Sequence, residues 1–204
     1  MNKRLLRFAL PAALLALASG CATTDYVTGQ SVQNAYSLDE DIELGKSFYK
    51  ETVAELKKEK APVDQDPVRV ALVRDVVKNI AAVAHLTNLP YRATYVGDPE
   101  IVNAYAFPGG HVMIFQGLWD EKEGLVETVD ELAAVVGHEI AHVNCRHSTE
   151  EMTRLMLPNL ALAGGLLWAE LEDDENAQLA LAAIAVVHEG LVVTKYSRMD
   201  ELEA

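Results

Sequence analysis

Apolar positions along the chain repeat first at helical spacing, then at every second residue, then at helical spacing again, and these periods predict its elements. Ser37-Leu38-Asp39-Glu40 has the spacing of a capping box, in which Ser and Glu satisfy each other's exposed backbone donors. Behind it Ile42, Tyr49, Val53 and Leu56 recur on one face, with Lys and Glu on the other. Asp66-Pro67 opens a second helix as a cap followed by Pro in the first turn, and its stripe is Leu72, Val73, Val76, Ile80 and Val83. From Tyr91 the period falls to two. Tyr91 to Val96, Val102 to Phe107 and His111 to Gln116 read as extended segments, separated by the turns Gly97-Asp98-Pro99 and Pro108-Gly109-Gly110. Thr128-Val129-Asp130-Glu131 is a second capping box, and the helix Leu132 to Val143 follows with Gly137 as its one breaker. Helices around a few short strands predict an α+β domain.

The first residues belong to a different pattern. Lys3, Arg4 and Arg7 give a positive start, Phe8 to Leu17 is apolar apart from Pro11, and Ala18-Ser19-Gly20-Cys21 is a small-residue exit. This is the layout of a secretory signal peptide over residues 1–20. Its apolar stretch is about half the roughly 20 residues a membrane-spanning helix needs. The ending resembles a bacterial lipobox, with Cys21 diacylated and first in the mature chain, although Ala18 stands where Leu is usual. An ordinary cleavable signal with a chance Cys is the alternative; the signal architecture favours the lipoprotein. Ala22 rather than Asp after Cys21 points to the periplasmic face of the outer membrane. Residues 21–36, rich in Thr, Gln, Ser, Asn and Gly, read as a flexible tether, and the domain proper is expected over 37–204.

Charge narrows the partners. The 204 residues carry 17 Lys+Arg against 31 Asp+Glu, a formal net charge of -14. No basic stripe is available for nucleic acid. Without residues 1–20 the count is 14 against 31, a net of -17, so attachment to an anionic membrane would have to come from the lipid on Cys21. Two cysteines make no disulfide framework, and no disulfide is expected. Leu160 to Ala169 and Ala177 to Val193, separated by the acidic run Glu170 to Glu175, read as core-packing or groove-lining helices. The first is too short to span a bilayer and the second contains His188 and Glu189.

The chemistry lies in the helix opened by Thr128. His138-Glu139-Ile140-Ala141-His142 is an H-E-x-x-H pattern. Two His four apart project from one helix face, about 6 Å apart along the axis and about 40° apart around it. Their imidazoles can converge on one Zn²⁺, and Glu139, beside that face, can reach a water rather than the metal. His147, nine residues from His138, extrapolates to the opposite side, about 180° away. Cys145 lies a full turn beyond the His pair and reads as a small packing residue. His85, His111 and His188 read as structural histidines.

Three motifs occur here in order: Asn103-Ala104-Tyr105-Ala106-Phe107-Pro108-Gly109-Gly110, then His138 to His142, then Tyr196-Ser197-Arg198 followed by Glu201-Leu202-Glu203-Ala204. Together they resemble the gluzincin metallopeptidase family that includes the CaaX prenyl proteases and HtpX. Within it the chain is most similar to the secreted bacterial lipoprotein branch of envelope quality control. The resemblance covers about residues 37–204. It implies a mainly helical zincin-like domain with a small sheet, one Zn²⁺ per chain, and Glu201 as third ligand beside His138 and His142. It further implies Glu139 as general base, and Asn103, Ala104, Pro108, Gly109 and Gly110 in or leading into an edge strand that pairs with extended substrate. The expected activity is endopeptidase cleavage of misfolded or misassembled envelope polypeptides. The family pattern continues Glu-x-Glu-Ala-Asp, whereas this sequence stops at Ala204, so a truncated chain with a fraying ligand helix and weak zinc binding is expected. Two rivals follow. A catalytically weak chaperone or adaptor would use the same groove, while a structural zinc module is disfavoured by three N/O ligands with an open position.

Overall fold

The computed structural model describes residues 22–120, 122, 124–156 and 198–204. The signal-type segment 1–20, Cys21, the two apolar stretches with the acidic run between them, His188 and Tyr196-Ser197 lie outside the described residues. In chain order the elements are β1 (Ala22–Thr24), β2 (Ser31–Gln33), α1 (Leu38–Lys58), α2 (Pro67–Ala81), β3 (Arg92–Val96), β4 (Ala104–Phe107), β5 (His111–Phe115) and α3 (Val129–Cys145). A helix α4 begins at 147 and is described as far as 156, and α5 is Arg198–Glu203. The domain is α+β, as the periodicity predicts. Both capping boxes close, Ser37 with Glu40 and Thr128 with Glu131, and Asp66 caps α2 ahead of Pro67.

The sheet has the order β3-β5-β4, with β3 parallel and β4 antiparallel to β5. Alternation splits its side chains between two layers. Ala93, Tyr95, Ala106, Val112 and Ile114 pack with α2 and α3 against Val73, Leu132 and Val136. Val96, Phe107, Met113 and Phe115 pack on the other face against Leu56, Phe48 and Val53 of α1. Contact between α1 and the sheet is close at Gly45, where a Cβ would lie 1.8 Å from the Pro108 carbonyl oxygen. Gly109, in the same turn, has φ 76, a conformation glycine adopts without steric cost. No described helix is long and apolar enough to cross a membrane.

Residues 22–36 depart from the expected flexible tether. β1 and β2 pair antiparallel, and the Asp25 carboxylate holds their turn by accepting from the Val27 amide (3.0 Å) and the Thr28 hydroxyl (2.8 Å). The hairpin leads into a docked strip. Asn34 donates to the Thr149 hydroxyl (3.0 Å), the Ala35 amide donates to the Thr153 hydroxyl (2.9 Å), and Arg146 donates to the Tyr36 carbonyl. Hydrogen bonds to partners more than a hundred residues away offset the entropy of ordering a polar segment, and local composition does not report them.

Candidate metal centre

α3 supplies two of the three donors and is held by a buried stripe. Leu132 and Val136 are wholly buried, with Ile140 and Val143 behind them, and this stripe faces α2 and the sheet. The i, i+4 spacing then brings His138 and His142 together along the adjacent strip. Their Nε2 atoms are 3.1 Å apart. Glu201, on α5, meets them with Oε2 at 3.3 Å from His138 Nε2 and Oε1 at 3.9 Å from His142 Nε2. All three donors lie within 4.8 Å of one another. Three ligands of a tetrahedral ion with bonds of about 2.0–2.1 Å would stand about 3.3 Å apart, so the spacings and the N/N/O donor set fit Zn²⁺ with one position open.

The electrostatics suit a ligand set. His142 is 3% exposed, and its pKa falls to about 4, first through burial and then through the neighbouring His147 and His138. It is therefore neutral at physiological pH, the form that ligates metal. Glu139 is half-buried and its carboxyl is pushed up to about 7. Burial is the main cause; the Ala106 backbone N–H that donates to it pulls the other way, and the Glu201 carboxylate adds to the rise. A carboxyl poised near neutrality is suited to taking and returning a proton.

β4 is an outer strand of the sheet, and the Phe115 amide donates to the Asn103 carbonyl. In an antiparallel ladder this register turns the backbone polar groups of Tyr105 and Phe107 toward β5 and those of Ala104 and Ala106 outward. The outward face thus lies next to Glu139. Pro108, Gly109 and Gly110 form the turn that returns the chain into β5.

Residues 67–204 match Peptidase family M48. The chain belongs to this family. It is 29% identical over 180 residues to the putative beta-barrel assembly-enhancing protease of Vibrio cholerae, covering 86% of this chain and 35% of that protein. It is 34% identical over 119 residues to the mitochondrial metalloendopeptidase OMA1 of Schizosaccharomyces pombe, covering 58% of this chain and 33% of that one. Against the beta-barrel assembly-enhancing protease of Escherichia coli K12 it is 23% identical over 180 residues. The chain spans about a third of the length of these relatives.

In this M48 chain the structure brings His138, His142, Glu201 and Glu139 together, and adds a residue that helical extrapolation assigned elsewhere. His147 is 1% exposed and its Nδ1 lies 2.8 Å from Nδ1 of His142. The projection of about 180° assumed a continuous helix. The helix instead stops at Arg146, a left-handed residue with φ 60. Its buried guanidinium donates to Asp41 of α1, Nε to Oδ2 at 2.6 Å and Nη2 to Oδ1 at 3.1 Å. A neutral His142 that offers Nε2 to a metal carries its proton on Nδ1, where His147 Nδ1 can accept it. Glu201 has its own support: Asp200, next to it, receives an Arg154 contact at 3.3 Å, and the Ala204 amide donates to the Asp200 carbonyl. Cys145 is buried, 2% exposed, as a packing residue. His111 stacks on Tyr49 with centroids 3.8 Å apart and lies 2.9 Å from the Thr94 hydroxyl, while His85 is exposed.

Proposed function

We propose that the chain is a zinc-dependent endopeptidase domain acting on misfolded or misassembled envelope polypeptides. The observation that carries this reading is the convergence of two imidazoles and a carboxylate, with Glu139 held between them and the outward face of β4. His138, His142 and Glu201 would hold the ion. When bound, Zn²⁺ supplies a Lewis acid that polarises a carbonyl and acidifies water. Glu139 takes the proton of the attacking water and returns it to the leaving amine. Ala104 offers an outward amide and carbonyl for pairing with an extended backbone, and the Ala106 N–H steadies the Glu139 carboxylate.

The names of the bacterial relatives speak of beta-barrel assembly, which supports envelope polypeptides as substrates here. Export through residues 1–20 and acylation of Cys21 would attach the domain to the periplasmic face of the outer membrane. Palmitate labelling that survives Cys21→Ala would remove that part of the reading.

Glu139→Gln is the direct test. It should leave the fold and zinc stoichiometry unchanged and lower casein cleavage by at least about 100-fold. Cleavage near the parent rate under saturating zinc would show that Glu139 is not the base.

A further inference from the structure

A cleft of about 840 Å³ opens at the opposite side of the sheet from β4, over the start of β3 and between α1 and α2. Its charge runs against that of the molecule. Lys46 from α1, Arg74 and Lys78 from α2 and Arg92 from β3 line it, and Asp64 is the one acidic residue among its lining. The whole chain has 31 acidic side chains to 17 basic ones, so four to one in the other direction marks an island of positive potential. Lys46 touches Glu43 at 2.7 Å and Arg74 touches Asp64 at 2.8 Å. The Lys46–Glu43 pair is mostly exposed, as is the Arg74 side chain, so both cations can exchange partners at little cost. His111 in the lining has its pKa lowered to about 4, through burial first and then Arg92, with Asp64 opposing.

The walls between these cations are apolar, formed by Ile42, Val77, Ala81, Leu89 and Tyr91. That mixture suits a peptide, whose backbone and side chains lie on the walls while carboxylates reach the rim. It suits a compact phosphate less well. α2 contributes its last residue, Ala81, and a helix C-terminus carries partial negative charge. Pro108 and Gly109, in the turn that ends β4, form part of the cleft wall. Crossing the end of a three-stranded sheet takes about 10 Å, or roughly three extended residues.

We propose that this cleft is an exosite for acidic segments of the polypeptide substrate, a proposal that rests on the peptidase reading above. A chain laid along β4 and continued past Phe107 would bring carboxylates three or more residues away to Lys46, Arg74, Lys78 and Arg92.

The test uses the full chain with Glu139→Gln and three fluorescent peptides that share one unstructured core. A three-residue spacer at either end carries a tail of Glu, Gln or Lys. Anisotropy at low salt should rank them Glu, Gln, Lys, with the Glu tail bound on the order of tenfold tighter than the Gln tail. The gap should close near 1 M salt, where the screening length is about 3 Å. Adding Lys78→Glu with Arg92→Glu should abolish or invert the ranking. Equal affinities for the three tails, or a ranking that survives the double reversal, overturns the exosite. So does charge-dependent capture of phosphatidylglycerol vesicles with no preference among the tails, which would make the cleft a lipid headgroup site. Cleavage of the Gln-tailed peptide by the zinc-loaded parent reports on the peptidase separately. Cleavage with charge-blind binding counts against the exosite alone, and charge-ranked binding without cleavage counts for the cleft and against the peptidase.

Discussion

The two halves of the metal centre are built to different standards. α3 is a 17-residue helix with a closed capping box, a wholly buried stripe and a stop tied to α1 by a buried ion pair. α5 is described over Arg198–Glu203, and Glu201 on it is half exposed. Arg154 meets Asp200 on α5, and the Ala204 amide donates to the Asp200 carbonyl. Two ligands are thus prearranged by the core, and the third comes from a separate helix on which it stays half exposed. The difference teaches where binding energy goes. His138 and His142 need little further ordering, whereas seating Glu201 costs about 1–2 kcal/mol for each residue that must be fixed.

Breaking the firm half should have the largest effect. Asp41→Ala strands the Arg146 guanidinium in the interior and should cost about 3–5 kcal/mol by urea denaturation. A loss below about 1 kcal/mol would mean that the αL stop holds without its partner.

Acid should work on two histidines, one in that half and one on β5. His111 and His142 are both lowered from the ordinary imidazole value of 6.5 to about 4 in the folded protein. A depressed His favours the neutral form, so its contribution is fully present above about 6.5 and is lost as pH falls toward 4. Glu139, raised to about 7, works the other way and adds stability as pH falls. The metal-free protein should therefore show a net loss of a few kcal/mol across that window, deepened by Glu139→Gln and shrunk by His111→Gln. A profile that His111→Gln leaves unchanged would contradict the burial effect on that ring.

His147→Leu should weaken zinc binding about 10–100-fold in competition titrations with little change in helix content, whereas His147→Asn, which keeps an acceptor near the Nδ1 position, should recover most of it. Equal loss in both variants would reduce His147 to packing. The smallest effect is expected on the soft half. Arg154→Gln should cost at most about 1 kcal/mol in zinc affinity, because its contacts are partly exposed. A tenfold loss would show that α5 depends on that clamp alone.

Legibility followed the range of the interactions. Ser37 with Glu40, Thr128 with Glu131, and His138 with His142 are spaced three or four residues apart, so the sequence displays them directly. Glu201 was reachable only through the family resemblance, since nothing local to Arg198–Glu203 marks a ligand helix. His147 was misplaced because the left-handed Arg146 is stabilised by Asp41, 105 residues away, and no local turn signal announces it. The docking of 34–36 is hidden for the same reason, being held by Arg146, Thr149 and Thr153. The cationic cleft gathers residues from three separate segments and leaves no run of like charge to notice.

The docked strip at 34–36 also bears on how far the domain can roam. A free coil of about 15 residues has an end-to-end spread of roughly 20 Å, enough for an anchored enzyme to sample a wide shell around its attachment point. Here Ala22 pairs with Gln33, and the next residues, Asn34 to Tyr36, are bound to α4 and Arg146. If Cys21 carries the proposed lipid, the leash is about one residue long and the search radius collapses. The catalytic body would then ride flush with its attachment point at a fixed height and tilt, and cut only what the surface itself brings within reach.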